Sequence, residues 1–308
     1  MILTSWPIEG KRVKLVFKAC IAALFGTLLT LSGSIAFGEE AAACLSCHTS
    51  GGDAPVHAIY QTRHGQLDGG GVSACVACHG NSEAHADNPA QEAPTKSFGP
   101  RWAMPAADAS GVCLQCHQQG QQMFWLGSVH DQEEVACTDC HNTHTNRDPV
   151  LRPDGQLDTC LGCHARQRAE IRLPSRHPIR EGKTACTDCH NPHGASTESA
   201  LHQPSLNDNC YSCHAEKRGP YLWQHPPVAE DCSTCHKPHG SVHASLLTAR
   251  GPFLCQQCHS AAFHPSQSYS GQAATSGSTN QYLLGKNCLN CHSAIHGSNH
   301  PSGARLAR

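Results

Sequence analysis

Cys186-Thr-Asp-Cys189-His190-Asn-Pro-His193-Gly194 is the most informative stretch of this 308-residue chain, because its first five residues belong to a pattern that appears ten times. Upstream copies are Cys44/Cys47/His48, Cys75/Cys78/His79, Cys113/Cys116/His117, Cys137/Cys140/His141 and Cys160/Cys163/His164. Downstream copies are Cys210/Cys213/His214, Cys232/Cys235/His236, Cys255/Cys258/His259 and Cys288/Cys291/His292. Every copy reads Cys-x-x-Cys-His, and together they use all but one of the 21 cysteines. A cysteine pair alone also suits zinc or redox chemistry. Ten pairs, each followed at once by histidine, fit neither. The pattern is the attachment site of haem c: two sulfurs bond the porphyrin edge and the adjacent imidazole takes the iron. The expected cofactor load is therefore ten covalently bound haem c, with these twenty cysteines and ten proximal histidines as the site.

Working outward, the central copies recur every 22–26 residues, with a finer alternation at twice that period. Odd copies resemble Val112-Cys-Leu-Gln-Cys-His117 and Thr159-Cys-Leu-Gly-Cys-His164; even copies resemble Cys137-Thr-Asp-Cys-His-Asn-Thr-His144 and Cys232-Ser-Thr-Cys-His-Lys-Pro-His239. Five two-haem modules follow. The expected organisation is residues 39–111 as an N-terminal module plus connection, 112–254 as three regular modules, and 255–308 as a C-terminal module with a loop at 266–281. Within the first of these, residues 86–111 read as a surface connection. The fold class expected is a multihaem cytochrome c, mostly irregular with short α-helices and little or no sheet, forming an extended haem wire.

Ten of the 24 histidines are proximal, leaving fourteen. Each module has one upstream of its even motif (His64, His130, His177, His225, His264) and one just after it (His85, His144, His193, His239, His296). These ten are the expected distal ligands. A histidine three residues past the proximal one stays on the proximal side of its own haem, so it is expected to reach a neighbour, the preceding odd haem. The upstream histidine is expected to fold over the even haem of its own module. His57, His202, His243 and His300 remain as surface or propionate-contacting residues. Met104 and Met123 are the only methionines past residue 38, so bis-histidine ligation and low potentials are expected. Trp125 and Trp223 are expected to pack on porphyrin.

Lys11, Arg12, Lys14 and Lys18 precede the apolar stretch Ala19 to Leu31, and small Ala36 and Gly38 come just before Glu39. Residues 1–38, which include the remaining Cys20, read as a secretory signal peptide. An uncleaved inner-membrane anchor is the competing reading. Beyond Gly38 no apolar run approaches the ~20 residues of a spanning helix. Removing residues 1–38 takes away four basic residues and Glu9, making the chain more acidic than its formal charge of −2. No basic patch suits nucleic acid. Aromatics are only 5 % of residues, so porphyrin must supply most of the apolar surface.

Enough histidines exist to close every iron, and no motif ends in lysine. That disfavours substrate binding at iron and points to outer-sphere electron transfer, not to an enzyme. Three alternatives stay open: a soluble periplasmic shuttle to a reductase, a terminal reductase, and a haem-protein filament.

Ten such motifs in an exported chain of about this length, with the Cys-Thr-Asp-Cys-His-Asn-Pro-His-Gly form at 186–194, resemble the MtrA/DmsE-type decahaem cytochromes. The resemblance covers essentially the whole mature chain. It implies a slender haem wire sheathed by an outer-membrane β-barrel porin. Such a wire would carry electrons between periplasmic or inner-membrane carriers and an extracellular multihaem cytochrome or mineral. The implied location is the periplasm, threaded through the outer membrane.

Overall fold

A computed structural model describes residues 44–48, 56–259 and 287–307. The expected signal peptide, Cys20, His264 and the 266–281 loop lie outside these residues. The chain divides into two units, residues 1–48 and 49–308. In the first, the described residues form one helical turn over 44–47, closed by the His48 N–H donating to the Cys44 carbonyl at 2.9 Å.

The second unit is built of short helices and turns. Among the described residues there are isolated β-bridges and no sheet. The longest helix among the described residues, Pro153–Cys163, has 11 residues. It starts on proline, whose missing N–H costs nothing at a first turn, and carries Asp154 there. It ends as its last turn becomes a haem motif. Helices Ala106–Leu114, Leu206–Tyr211 and Phe253–Gln256 likewise run into odd motifs. The expected connection at 86–111 therefore ends in helix from Ala106, with Ala109 and Ser110 buried.

Even motifs from the fourth onward are single turns: Cys137–Cys140, Cys186–Asp188, Cys232–Thr234 and Cys288–Asn290. A side chain caps each. Asp139 Oδ2 accepts from Ala136 N–H and Asp188 Oδ2 from Ala185 N–H, both at 2.8 Å. Asp231 Oδ1 accepts from Ser233 N–H at 2.6 Å, and Asn287 Oδ1 from Leu289 N–H at 3.3 Å. These bonds satisfy donors that a one-turn helix leaves open.

Buried polar residues tie three odd helices to the following even turn. Ser110 Oγ accepts from Cys137 N–H at 3.3 Å, Gln156 Oε1 from Thr187 N–H at 3.2 Å, and Asn207 Oδ1 from Cys232 N–H at 2.8 Å. They lie three or four residues before the first cysteine of their motifs. Ser110, Gln156 and Asn207 are 2 %, 4 % and 8 % exposed, so losing a partner would strand a buried amide.

The apolar core is sparse. Its buried members among the described residues are Ile59, Ala74, Ala109, Trp125, Ala136, Ile171, Ile179 and Ala185. Met123, Phe124, Leu126, Val129, Leu151, Leu222, Val242 and Phe253 are exposed in the polypeptide itself. No helix among the described residues is long and apolar enough to cross a membrane.

Candidate haem-binding sites

Each motif is a closed turn, which is why Cys-x-x-Cys-His works as one unit. The histidine N–H donates to the first cysteine's carbonyl at 2.9–3.1 Å, as in His117 to Cys113, His190 to Cys186 and His259 to Cys255. Residues three and four apart share a helical face, so two sulfurs and an imidazole point the same way.

The structure then sets a second imidazole opposite eight of these histidines. Ring centroids lie 5.9 Å apart for His64–His117, 6.1 Å for His79–His144, 6.0 Å for His130–His164 and 6.0 Å for His141–His193. They lie 6.3 Å apart for His177–His214, 6.1 Å for His190–His239, 6.0 Å for His225–His259 and 6.2 Å for His236–His296. Two imidazoles on one metal, with metal–nitrogen bonds of about 2.0–2.1 Å, place their centroids about 6.3 Å apart. The residues present therefore fit an iron between each pair.

Hydrogen bonds favour the same chemistry. The Nδ1–H of His79 donates to the Lys96 carbonyl at 3.1 Å, that of His130 to Pro192 at 2.7 Å and that of His177 to Pro238 at 2.7 Å. His190 donates to Ser199 and His236 to Ser245, both at 2.8 Å, and His292 to Arg305 at 2.6 Å. A carbonyl only accepts, so Nδ1 must carry the proton, leaving Nε2 as the free lone pair. Burial, aided by the facing imidazole, pushes His64, His193 and His225 below the ordinary histidine range. Burial lowers His239 despite nearby Glu170, and lowers His296 with help from Lys217. Neutral imidazole is the form that binds metal.

The pairing differs from the sequence expectation in a regular way. The upstream histidine of a module faces not its own even motif but the following odd one: His64 faces His117, His130 faces His164, His177 faces His214 and His225 faces His259. The downstream histidine faces the preceding even motif, not the preceding odd one: His144 faces His79, His193 faces His141, His239 faces His190 and His296 faces His236. Modules are thus interlocked: the second, third and fourth each lend one imidazole forward and one back, the first lends His64 forward and the fifth His296 back. His85 donates Nδ1–H to the Glu92 carbonyl at 2.8 Å and sets its ring edge-on to Trp102; it is in none of these eight pairs.

A glycine signal explains how the downstream histidine gets there. Gly194, after His193, has φ +101°, and a Cβ there would come within 2.6 Å of the Phe124 carbonyl of the preceding module. At Gly240, after His239, a Cβ would meet the Glu170 carbonyl at 2.0 Å. The Pro-His-Gly sequence is a wedge that only glycine lets seat. Gly240→Ala is expected to destabilise the protein by about 1–3 kcal/mol through forced backbone separation, read as a lower denaturant midpoint.

Cysteines order the motifs. First cysteines of odd and following even motifs interact: a hydrogen bond raises Cys113 and lowers Cys137, and another raises Cys160 and lowers Cys186. Burial, then Cys232, pushes Cys210 up to about 12; burial, then Cys288, pushes Cys255 up to about 11. Second cysteines of even motifs feel the next odd motif: besides burial, Cys116 raises Cys78, Cys163 raises Cys140 beside Asp139, Cys213 raises Cys189 beside Asp188, and Cys258 raises Cys235. Thioether formation ends these titrations, but the neighbourhood remains. From the second motif to the tenth, each motif sits beside the next in chain order, alternately through first and second cysteines.

The twenty cysteines differ in exposure. First cysteines are all half-buried, as are the second cysteines Cys78, Cys189 and Cys235, whereas Cys47, Cys116, Cys140, Cys163, Cys213, Cys258 and Cys291 are exposed on the polypeptide. From the third motif to the tenth, packing of odd helix on even turn helps to cover the first sulfurs. Cys116, Cys140, Cys163, Cys213 and Cys258 still lie beside a cysteine of the neighbouring motif. Cys47 and Cys291 belong to the first and tenth motifs. The Cys47 thiol lies 3.7 Å from the adjacent Ser46 hydroxyl. Their turns are nonetheless closed like the others, His48 on Cys44 and His292 on Cys288, both at 2.9 Å.

The other singled-out residues serve the scaffold. Trp125 is buried with its ring 6.2 Å from that of His193, and its Nε1–H has no polypeptide partner. Trp223 Nε1–H donates to the His300 carbonyl at 3.0 Å, and its backbone bridges Ser298 of the last module. His202 is bonded through Nε2 to the Thr187 carbonyl at 2.8 Å.

Comparison with known proteins bears on the motifs. Residues 177–219 and 225–264 match the doubled CXXCH motif family. Residues 75–156 match the family described as cytochrome c-type protein NrfB-like. The multiheme cytochrome MtrA of Shewanella baltica (strain OS185) is 44% identical over 277 residues, spanning 88% of this chain and 82% of that one.

Proposed function

Because this chain belongs to the family of MtrA-type multihaem cytochromes and so carries covalently bound haem c for electron transfer, we propose that it is a decahaem wire across the outer membrane. Bound haem c supplies one-electron Fe(III)/Fe(II) chemistry, repeated along the chain. The twenty motif cysteines hold it, the exposed Cys47 and Cys291 included, and His48, His79, His117, His141, His164, His190, His214, His236, His259 and His292 are the proximal ligands. The second ligands are His64, His144, His130, His193, His177, His239, His225 and His296, with His85 and His264 left for the two end motifs. The five modules take the boundaries 39–111, 112–254 and 255–308.

The carrying observation is the unbroken succession of motifs from the second to the tenth, each beside its chain neighbour. Paired imidazoles leave the irons of the second to ninth motifs without an open position, which suits conduction better than catalysis. The wire works inside an outer-membrane β-barrel. It links periplasmic or inner-membrane carriers to an extracellular multihaem cytochrome or to iron oxides.

Purification from the native membrane in mild detergent, then reconstitution into liposomes enclosing a redox dye, tests this. Co-purification of a barrel and reduction of the enclosed dye from outside are expected. A cytochrome found alone in the soluble periplasmic fraction, with no transfer across liposomes, would replace the conduit by a periplasmic shuttle.

A further inference from the structure

His79, His85, His130, His177, His190, His236 and His292 each donate Nδ1–H to a backbone carbonyl; His141 instead donates to a carboxylate. Its Nδ1 lies 2.6 Å from Asp148 Oδ2. At the equivalent place after the sixth and eighth motifs, the chain returns through left-handed Ser199-Ala200 and Ser245-Leu246 and offers a carbonyl. After the fourth motif the sequence Asn146-Arg147-Asp148-Pro149 brings in a side chain instead.

The charge on Asp148 is poorly balanced. Its side chain is 11 % exposed and makes no ion pair with Lys or Arg among the described residues. Its other oxygen, Oδ1, is buried without a hydrogen-bond partner. Nearby Arg152 is taken by Asp154 at 2.8 Å. The two other histidine–carboxylate contacts among the described residues are longer and better balanced: Glu170, 3.3 Å from His239 Nδ1, shares its charge with Arg166 at 2.8 Å, and the exposed Glu216, 3.7 Å from His214 Nδ1, lies 3.9 Å from Lys217. Asp148 also acts on the motif itself, helping to raise the Cys140 thiol.

A carboxylate accepting from Nδ1–H makes an imidazole a stronger donor to its metal. Buried negative charge beside an iron further favours the ferric state, more so where the local dielectric is low. We propose that Asp148 is a positioning and tuning residue that holds the iron carried by His141 at a lower potential than those carried by His79, His190 and His236. That iron is then a step in the middle of the wire: electrons rest on either side of it and cross it only transiently. The inference rests on the reading that the fourth motif carries haem c between His141 and His193.

The test is a potentiometric titration of the full-length holoprotein, followed by electron paramagnetic resonance, for wild type, Asp148→Asn and Asp148→Glu. Asparagine keeps an acceptor for Nδ1–H and removes the charge. In Asp148→Asn, the iron reduced last in this group should show a ferrous-to-ferric ratio about tenfold higher at fixed potential, a shift of ~59 mV for a one-electron couple. Haem content and low-spin state should be unchanged, and glutamate should restore the wild-type value. Unchanged titration with full haem content would overturn the tuning role alone. A wild-type peptide spanning residues 137–141 without haem mass would overturn the underlying reading as well. If the asparagine variant fails to fold, His193→Ala decides the matter in an otherwise wild-type chain. The low-spin signal it removes should be the last reduced of the four, and an early-reduced signal would overturn the proposal.

Discussion

Replacing His130 by alanine is expected to open the iron carried by His164 and leave the one carried by His141 closed. His130 lies upstream of the fourth motif, yet its ring is 6.0 Å from that of His164, with its Nδ1–H held by the Pro192 carbonyl at 2.7 Å. Alanine removes the imidazole and cannot be replaced locally. One ferric iron in ten should become high-spin under the proposed count and bind added imidazole or carbon monoxide.

Spectroscopy also says which iron has opened. The planes of His130 and His164 are inclined at 67°, whereas those of His141 and His193 are only 7° apart. Parallel axial rings act on the same iron d-orbital and split the pair, giving a rhombic low-spin signal. Crossed rings act on both, leave them nearly degenerate and give a signal with a large maximum g value. Loss of a large-g component is therefore expected in His130→Ala. Loss of a rhombic component would instead put His130 over its own module's even motif. The contrast runs along the chain as far as the His214 pair and fades at His259. The pairs at His79, His141, His190 and His236 have interplanar angles of 7°, 7°, 30° and 12°, and those at His117, His164, His214 and His259 have 49°, 67°, 45° and 24°.

The class of fold was legible in the sequence because covalent chemistry writes itself in fixed spacing. Cys186, Cys189 and His190 must be neighbours for one porphyrin to meet all three, so their order in the chain is their order in space. The distal set was legible in part: eight of the ten expected histidines, His130, His177, His225, His144, His193 and His239 among them, stand opposite a motif histidine, while His85 is in none of those pairs and His264 lies outside the described residues. Which iron each one serves was not legible, since no local geometry ties His193 to His141 in the motif two before its own. That choice is made by packing between modules. Its written trace is the glycine after the histidine, whose missing Cβ lets the segment press on Phe124 or Glu170. Packing also separates cysteines that the pattern treats alike, half-covering Cys288 while Cys291 stays exposed. The polar staples Ser110, Gln156 and Asn207 were invisible for a related reason: three different side chains do one job, so no residue repeats. Asp148 was silent because a lone aspartate in a loop is ordinary until it is found against a motif histidine.

Expressed without haem attachment and kept reduced, the chain is expected to be unfolded along its whole length. The argument is one of relative magnitudes. Burying a large apolar side chain contributes about 1.5–3 kcal/mol, while ordering each residue's backbone costs about 1–2 kcal/mol. The described residues bury only Ile59, Trp125, Ile171 and Ile179 as large apolar groups; the remaining buried apolar residues are alanines. Leu126 and Val129 are 76 % and 74 % exposed, so the polypeptide offers them no apolar partner of its own. The interlock deepens the deficit, because eight of the contacts between modules are imidazole pairs that only a shared metal draws together. Two like rings about 6 Å apart with nothing between them have no reason to stay there. Far-ultraviolet circular dichroism of the haem-free chain should show coil, and limited proteolysis should cut throughout residues 112–254. A protease-resistant fragment from that region would mean that the polar staples and turns suffice to fold it. The dependence of the fold on porphyrin would then be wrong.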